Sequence, residues 1–263
     1  LTLFCLLTIQ LACSTHQLST TSPIHKRAFA ISSSEPLVSE TAARIFNAGG
    51  NIADAVVAAS FAISVVRPQS TGIGGGGFLL YYDAKTKKTL ALDFREVAPL
   101  KSKSDMYLKN GEVIPDLSTT GAMAVAVPGL VAGLSDFHRK YGKLSWASVL
   151  APSIELAESS IPVSAHLARA LESEKEDLAN SPELKAQFFK GDRVLKEGEF
   201  FTQTQLGKTL RGIAQENRNY FYRGAYAKAL SSWMKKNGGI LSKDDLSSYQ
   251  VKIRVPVRAS WRQ

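Results

Sequence analysis

A chain of 263 residues holds one large domain or two small ones, and 44% hydrophobic with 21% charged residues is ordinary for a globular protein. The net charge of +9 is scattered in short clusters (Lys85, Lys87 and Lys88; Lys101 and Lys103; Lys235 and Lys236). That pattern reads as a solvated basic surface that attracts small anions, and it argues against a nucleic-acid partner.

Leu1 to Ala12 is almost wholly apolar yet too short to span a bilayer as a helix, so residues 1–13 read as a signal segment. With neither an initiator Met nor a basic leader, the start of the sequence is expected to be missing. Leu11-Ala12-Cys13-Ser14 resembles a lipoprotein processing site, although Gln10 stands where an aliphatic residue is preferred. Lipidation at Cys13, which would tether the protein to a membrane, therefore stands beside plain cleavage nearby. Residues 14–26, rich in Ser and Thr, read as a flexible tether. Both cysteines, Cys5 and Cys13, fall in the signal segment, so residues 27–263 offer no disulfide, thiolate metal site or cysteine nucleophile. An exported, cysteine-free body fits the bacterial periplasm, free or as a lipoprotein facing it.

Arg27 to Ser32 is expected to form a short strand. Ser34, Glu35 and Pro36 supply a helix start, with a capping hydroxyl and a proline tolerated in the first turn; Leu37, Thr41 and Ile45 share one face and Gly49-Gly50 ends the helix. Asn51 with Asp54 makes a capping box for a second helix, apolar nearly all round from Ala55 to Val66 and hence buried. Phe78 to Tyr82 and Lys88 to Arg95 read as a hairpin, with Leu90, Leu92 and Phe94 on one face and Ala91, Asp93 and Arg95 on the other. Asp105 to Ser118 reads as a polar loop. Leu130, Leu134, Phe137 and Tyr141 mark a helix closed by Gly142. Ser145 caps the next helix, and Pro152 is expected to restart it. An acidic amphipathic helix is expected from Ser164 to about Leu178, then helices over Gln203–Asn217 and Tyr226–Lys236. Gln250 to Ser260 alternates as a half-buried strand, placed at a sheet edge because Pro256 cannot donate to a ladder. The sequence stops at Gln263 with no partner strand, which reads as a truncated open reading frame. The order suits helices layered on a sheet.

Between the second helix and the hairpin lies Arg67-Pro68-Gln69-Ser70-Thr71-Gly72-Ile73-Gly74-Gly75-Gly76-Gly77-Phe78. It contains the literal pattern Gly72-x-Gly74-x-x-Gly77, but a dinucleotide site needs a strand before and a helix after, and here that order is reversed. Close packing or a binding site are the usual reasons for four consecutive glycines, and the plainer reading is a tight turn feeding a central strand. Arg95 is the strongest candidate for chemistry, because a guanidinium fork binds a carboxylate through two parallel hydrogen bonds. The residues alone also allow a structural pairing of Arg95 with Asp93 or another carboxylate. Asp93 and Glu96 either orient Arg95 or are solvated, and strand alternation puts them on opposite faces, which disfavours an acid/base pair. His16, His25, His138 and His166 lack metal spacing. His138, beside Arg139 and Lys140, is expected to be exposed. No Gly-x-Ser-x-Gly elbow or His-Glu-x-x-His pair occurs, and neither metal nor cofactor is expected.

Several ordered blocks together resemble the large subunit of gamma-glutamyltransferases (gamma-glutamyltranspeptidases): Gly49 to Ala55, the glycine stretch, Asp93-Phe94-Arg95-Glu96, Ala126 to Leu134, and Asn237-Gly238-Gly239-Ile240-Leu241. The resemblance runs from about Ala28 to the end. It departs at Leu130, where a threonine is common, and at Ile52-Ala53, which inverts the usual order; both are expected to be packing variation. It implies an α+β fold, the large-subunit portion of the four-layer αββα sandwich of N-terminal nucleophile hydrolases, with a helical outer region. It implies that Arg95 binds the alpha-carboxylate of a gamma-glutamyl compound such as glutathione. The nucleophile of that family is the N-terminal threonine of a small subunit that the precursor releases by cutting itself. Thr71, Thr119 and Thr120 are in the wrong context, so no catalytic residue is assigned within the chain. The implied partners are a small gamma-glutamyl substrate and the small subunit of the same precursor. Alone, the chain is expected to be inactive and poorly soluble. The rival readings are a related acylase acting on cephalosporin side chains or polyglutamate, and a non-enzymatic exported binding protein.

Overall fold

The structure is a computed structural model that describes residues 29–261. The signal segment, the tether, both cysteines, His16 and His25 lie outside the described residues. From Ile31 onward the chain forms one unit.

Residues 29–33 form no strand, contrary to expectation; β-pattern reports fit to a pleated surface and does not by itself fix pairing. Helix α1 (Pro36–Asn47) follows. Its N-cap is Glu35, which makes no side-chain cap bond, and the hydroxyl that serves this turn is that of Ser33, bonded to the Glu35 carbonyl (2.8 Å) and to Ser39 Oγ (2.7 Å). Ser34 is therefore not the cap. The buried stripe is Val38, Thr41, Ala42 and Ile45, with Leu37 only half-buried. α1 ends with the Gly49 and Gly50 N–H groups on the carbonyls of Phe46 and Ile45, which satisfies the last turn. Helix α2 (Ile52–Val66) carries the expected capping box of Asn51 and Asp54, and buries Val57, Ala58, Phe61, Ala62 and Val65 completely.

Strands β1 (Phe78–Asp83) and β2 (Lys88–Asp93) pair antiparallel, with Phe78 opposite Asp93 and Leu80 opposite Ala91. The polar stretch that follows is not all loop. It contains the two-residue strands β3 (Leu108–Lys109) and β4 (Glu112–Val113), joined by Asn110-Gly111 with φ of 55° and 86°, a hairpin turn in which both central residues are left-handed. A 3₁₀ turn (Ala122–Ala124) leads to α3 (Leu130–Tyr141). α4 (Trp146–Glu158) runs straight through Pro152, with Ser145 as its cap. The proline forfeits one hydrogen bond inside the helix but does not restart it, because both neighbouring turns are locked in the core. β5 (Ile161–Pro162) precedes α5 (Ala165–Ser173) and α6 (Lys175–Ala179), two helices broken at Glu174 where one was expected.

Then come α7 (Pro182–Phe188), the hairpin of β6 (Phe189–Lys190) and β7 (Arg193–Val194), and β8 (Phe200–Phe201), which pairs with β5. α8 (Thr204–Glu216), α9 (Arg218–Tyr222), α10 (Ala225–Lys236) and α11 (Lys243–Ser248) complete the helical part. β9 (Lys252–Arg254) adds to β2, so the main sheet has the order β1-β2-β9. The edge position agrees with the sequence. The length does not: only three residues pair, Val255 and Val257 are exposed, and Ile253 is not half-buried but exposed.

The core lies on one side. α2 packs between α1 and α4, and α4 packs on α8. α3 covers the inner face of the sheet, where the Tyr81 ring meets Phe137 (5.3 Å) and Tyr141 (4.8 Å). The opposite face is bare: Phe78, Leu80 and Tyr82 are 70%, 72% and 60% exposed.

Candidate functional site

The site is built where β2 ends. Helix α2 comes before the glycine run and β1 after it, the reverse of a dinucleotide fold. Gly75 accepts hydrogen bonds from the N–H groups of Gly129 and Leu130 (both 2.9 Å), which docks the start of α3 on the turn. Gly77 and Phe94 exchange both backbone bonds (3.2 and 3.0 Å), so the ladder continues one step past the strands. Gly76 lies flat against the next peptide: a Cβ there would overlap the Phe94 carbonyl and stand 3.0 Å from Arg95 Cα. Gly129 does the same from the other side, where a Cβ would overlap the Phe94 carbonyl and the Tyr249 hydroxyl. Both glycines are required by close approach, and what they approach is the Phe94–Arg95 backbone.

That backbone is held at both ends of one residue. The Arg95 N–H donates to Asp93 Oδ1 (3.0 Å), and the Arg95 carbonyl accepts from the Tyr249 hydroxyl (2.8 Å). Asp93 does not pair with the Arg95 side chain. Its other oxygen, Oδ2, accepts from Nε and Nη2 of Arg254 (3.0 and 2.7 Å). The Arg95 N–H first, and Arg254 second, hold the Asp93 carboxyl below the usual carboxylate range. Burial pushes the Tyr249 phenol up to about 12, with the nearby Asp93 and Glu96 carboxylates adding to the rise, so it remains a donor.

The Arg95 side chain is 57% exposed and its guanidinium touches one carboxylate: Nε stands 3.2 Å from Glu96 Oε2. Among the described residues, neither terminal nitrogen of Arg95 has a hydrogen-bond or ion-pair partner. Of the structural pairings the sequence allows for Arg95, the one with Asp93 does not form, and the one with another carboxylate does, with Glu96 at a single nitrogen. Asp93 fixes the main chain, Glu96 braces Nε, and the outer fork remains available for a planar anion.

The expectation for His138 is overturned. It is 7% exposed, with Nε2 3.1 Å from Asp54 Oδ1. Asp54 also accepts from the N–H groups of Asn51 (2.8 Å), Lys143 (3.0 Å) and Leu144 (3.3 Å), which ties the start of α2 to the turn after α3. The basic neighbours Arg139 and Lys140 suggested exposure, but helical spacing puts His138 with Val131 and Leu134 on the covered face. His166 contacts Arg169 at the surface (3.0 Å). Among the described residues, no three His, Cys, Asp or Glu gather as a metal site. Thr119 and Thr120 close a turn on the Asp116 carbonyl. Tyr249 and Arg254 were not anticipated, and no local signal marks them, because they meet Arg95 and Asp93 across more than 150 residues of chain.

Residues 38–263 match the family model described as gamma-glutamyltranspeptidase. The glutathione hydrolase proenzyme of Bacillus subtilis strain 168 is 39% identical over 229 residues, 86% of this chain and 39% of that protein. The crystal structure of Helicobacter pylori gamma-glutamyltranspeptidase superposes with a TM-score of 0.86 at 42% identity, covering 90% of this chain and 68% of that one. The cephalosporin acylase of Bacillus halodurans superposes with a TM-score of 0.79 at 28% identity, covering 92% and 47%. The chain spans about two-fifths of the length of the curated relatives it matches. The fold is the N-terminal nucleophile hydrolase fold of these proteins, and the described residues form the three-stranded sheet β1-β2-β9 with helices over one face, besides three two-stranded sheets.

Proposed function

We propose that this chain, which belongs to the gamma-glutamyltranspeptidase family, supplies the alpha-carboxylate anchor of an enzyme that transfers or hydrolyses the gamma-glutamyl group of glutathione and related compounds. One observation carries the reading: Arg95 presents two terminal nitrogens, unpartnered among the described residues, from a main chain fixed on both sides. A carboxylate presented in the guanidinium plane would accept both N–H groups in parallel, and would hold the amino-acid head while the gamma-carbonyl lies several bonds away.

The remaining chemistry belongs to the small subunit of the same precursor. Self-cleavage would expose an N-terminal threonine, whose hydroxyl attacks the gamma-carbonyl while its own amine takes the proton and passes it to the leaving amine. The resulting ester is then resolved by water or by an acceptor amino acid. The bare sheet face of Phe78, Leu80 and Tyr82 is where the second sheet of the sandwich would pack. The sequence of residues 1–26 supports export to the periplasm, with Cys13 as a membrane tether if it is lipidated.

The test uses the complete open reading frame. Self-cleavage is read on a gel and turnover with a chromogenic gamma-glutamyl amide, in wild type and Arg95→Ala. The expected result is cleavage in both and a KM raised by about 100-fold in the variant, on the order of the loss of a charge-assisted bidentate pair. Cleavage and turnover with an unchanged KM in Arg95→Ala would remove the anchor role. The likeness to a cephalosporin acylase favours a second reading, in which the acyl group is a longer side chain. A substrate profile separates the two, because an arginine anchor requires an alpha-carboxylate.

A further inference from the structure

We infer that Tyr249 is a positioning residue for the carboxylate anchor: by donating its hydroxyl to the Arg95 carbonyl, it fixes the main chain from which the guanidinium projects. This rests on the reading of Arg95 as the anchor of the gamma-glutamyl group.

Tyr249 is buried and reaches Arg95 from a rigid frame. Its ring stacks on Tyr222 (centroids 5.8 Å apart, planes at 18°), and the Tyr222 hydroxyl donates to the Pro128 carbonyl (2.9 Å) at the start of α3. The Tyr249 carbonyl accepts from Arg218 Nη2 (3.1 Å), and Arg218 is paired with Asp136 on α3 (2.9 Å). The preceding helix α11 has its own capping box, Ser242 with Asp245, and Asp245 also takes the Leu100 N–H (2.5 Å). On the far side of Arg95, Asp93 takes the N–H and is itself held by Arg254.

Room for the hydroxyl is kept by Gly129, where a Cβ would overlap it. A phenylalanine would fill the ring site equally well, so the oxygen serves the Arg95 carbonyl rather than the packing. The Arg95 side chain is more than half exposed, with Glu96 as its partner, so its direction depends on the backbone beneath it. Loosening that backbone spreads the guanidinium over several positions and lowers the fraction that can receive a carboxylate in the plane of the fork.

The test is Tyr249→Phe in the complete protein, assayed on the chromogenic gamma-glutamyl amide together with Arg95→Ala and the double variant. Tyr249→Phe is expected to raise KM by about 10-fold, the size of one lost hydrogen bond, with kcat within about 2-fold and a melting temperature within a few degrees. The double variant is expected to show the KM of Arg95→Ala alone, because Tyr249 acts through Arg95. Asp93→Ala removes the acceptor of the Arg95 N–H and so loosens the same residue from the other side, and gives a second KM readout should Tyr249→Phe fail to accumulate. An unchanged KM in Tyr249→Phe, or a full further rise on top of Arg95→Ala, would overturn the positioning role. An unchanged KM in Arg95→Ala overturns the anchor itself and the proposal with it, and that outcome is visible without the tyrosine variant.

Discussion

The two faces of the three-stranded sheet end in opposite states. Toward α3, Tyr81 packs on Phe137 and Tyr141, and behind α3 the helices bury Val57, Phe61 and Val65 completely. Away from α3, three large side chains of β1 stand in solvent, and β9 leaves an open ladder edge. A contiguous exposed apolar patch on a sheet is an interface awaiting a partner, and an open edge is a template for pairing. The difference teaches that the helical half is a packed core, while the outer sheet face keeps the apolar side chains a second layer would cover under the proposed function.

The comparison can be broken most severely from the packed side. Asp54→Ala removes the acceptor of three backbone N–H groups and the carboxylate that stands beside His138 Nε2, and at roughly 1–3 kcal/mol for each buried donor left unpaired, a loss of about 3–5 kcal/mol is expected in denaturant unfolding. This loss should appear whether or not the second layer is present. Leu80→Lys probes the other face, and its sign is expected to depend on context. In residues 1–263 alone it raises the soluble fraction, since it breaks the exposed patch. In the complete protein it lowers stability by more than about 2 kcal/mol, because a buried leucine is exchanged for a charge. The same sign in both contexts would mean that no layer covers this face.

The smallest effect lies far from the sheet. Glu199 is chelated by both terminal nitrogens of Arg193 (2.7 Å each) and takes the Lys196 N–H (2.8 Å), which lowers its pKa from 4.5 to about 2. A carboxylate depressed on folding contributes stability above its unfolded pKa and loses it as pH falls toward the folded value. Its contribution is therefore complete above pH 4.5 and disappears toward pH 2. Glu199→Gln should flatten that part of the acid-unfolding curve and lower the melting temperature slightly at neutral pH, a small loss because solvent screens a pair near the surface.

What was legible in the sequence was local. The capping box at Asn51 and Asp54, the stripe of α3, the helices α8 and α10, and the edge position of β9 all follow from spacing within a dozen residues. Arg95 is singled out in the sequence by the block around it. Its surroundings are not, because Tyr249 and Arg254 arrive from the far end of the chain and the residue nearest in sequence, Asp93, is claimed by one of them. His138 was misjudged from its charged neighbours when the period of α3 already placed it inside. The Asn110-Gly111 hairpin was passed over because its polar composition masked a turn signal that is itself specific.

The most direct measurement pairs a deletion in the protein with a deletion in the substrate. The complete protein and its Arg95→Ala variant are each assayed on a gamma-glutamyl amide and on the same amide lacking the alpha-carboxylate. If the guanidinium holds that carboxylate, wild type discriminates between the two by about 100-fold in kcat/KM and the variant hardly at all. Discrimination that survives the loss of Arg95 would contradict the assignment, and would place the carboxylate on other residues.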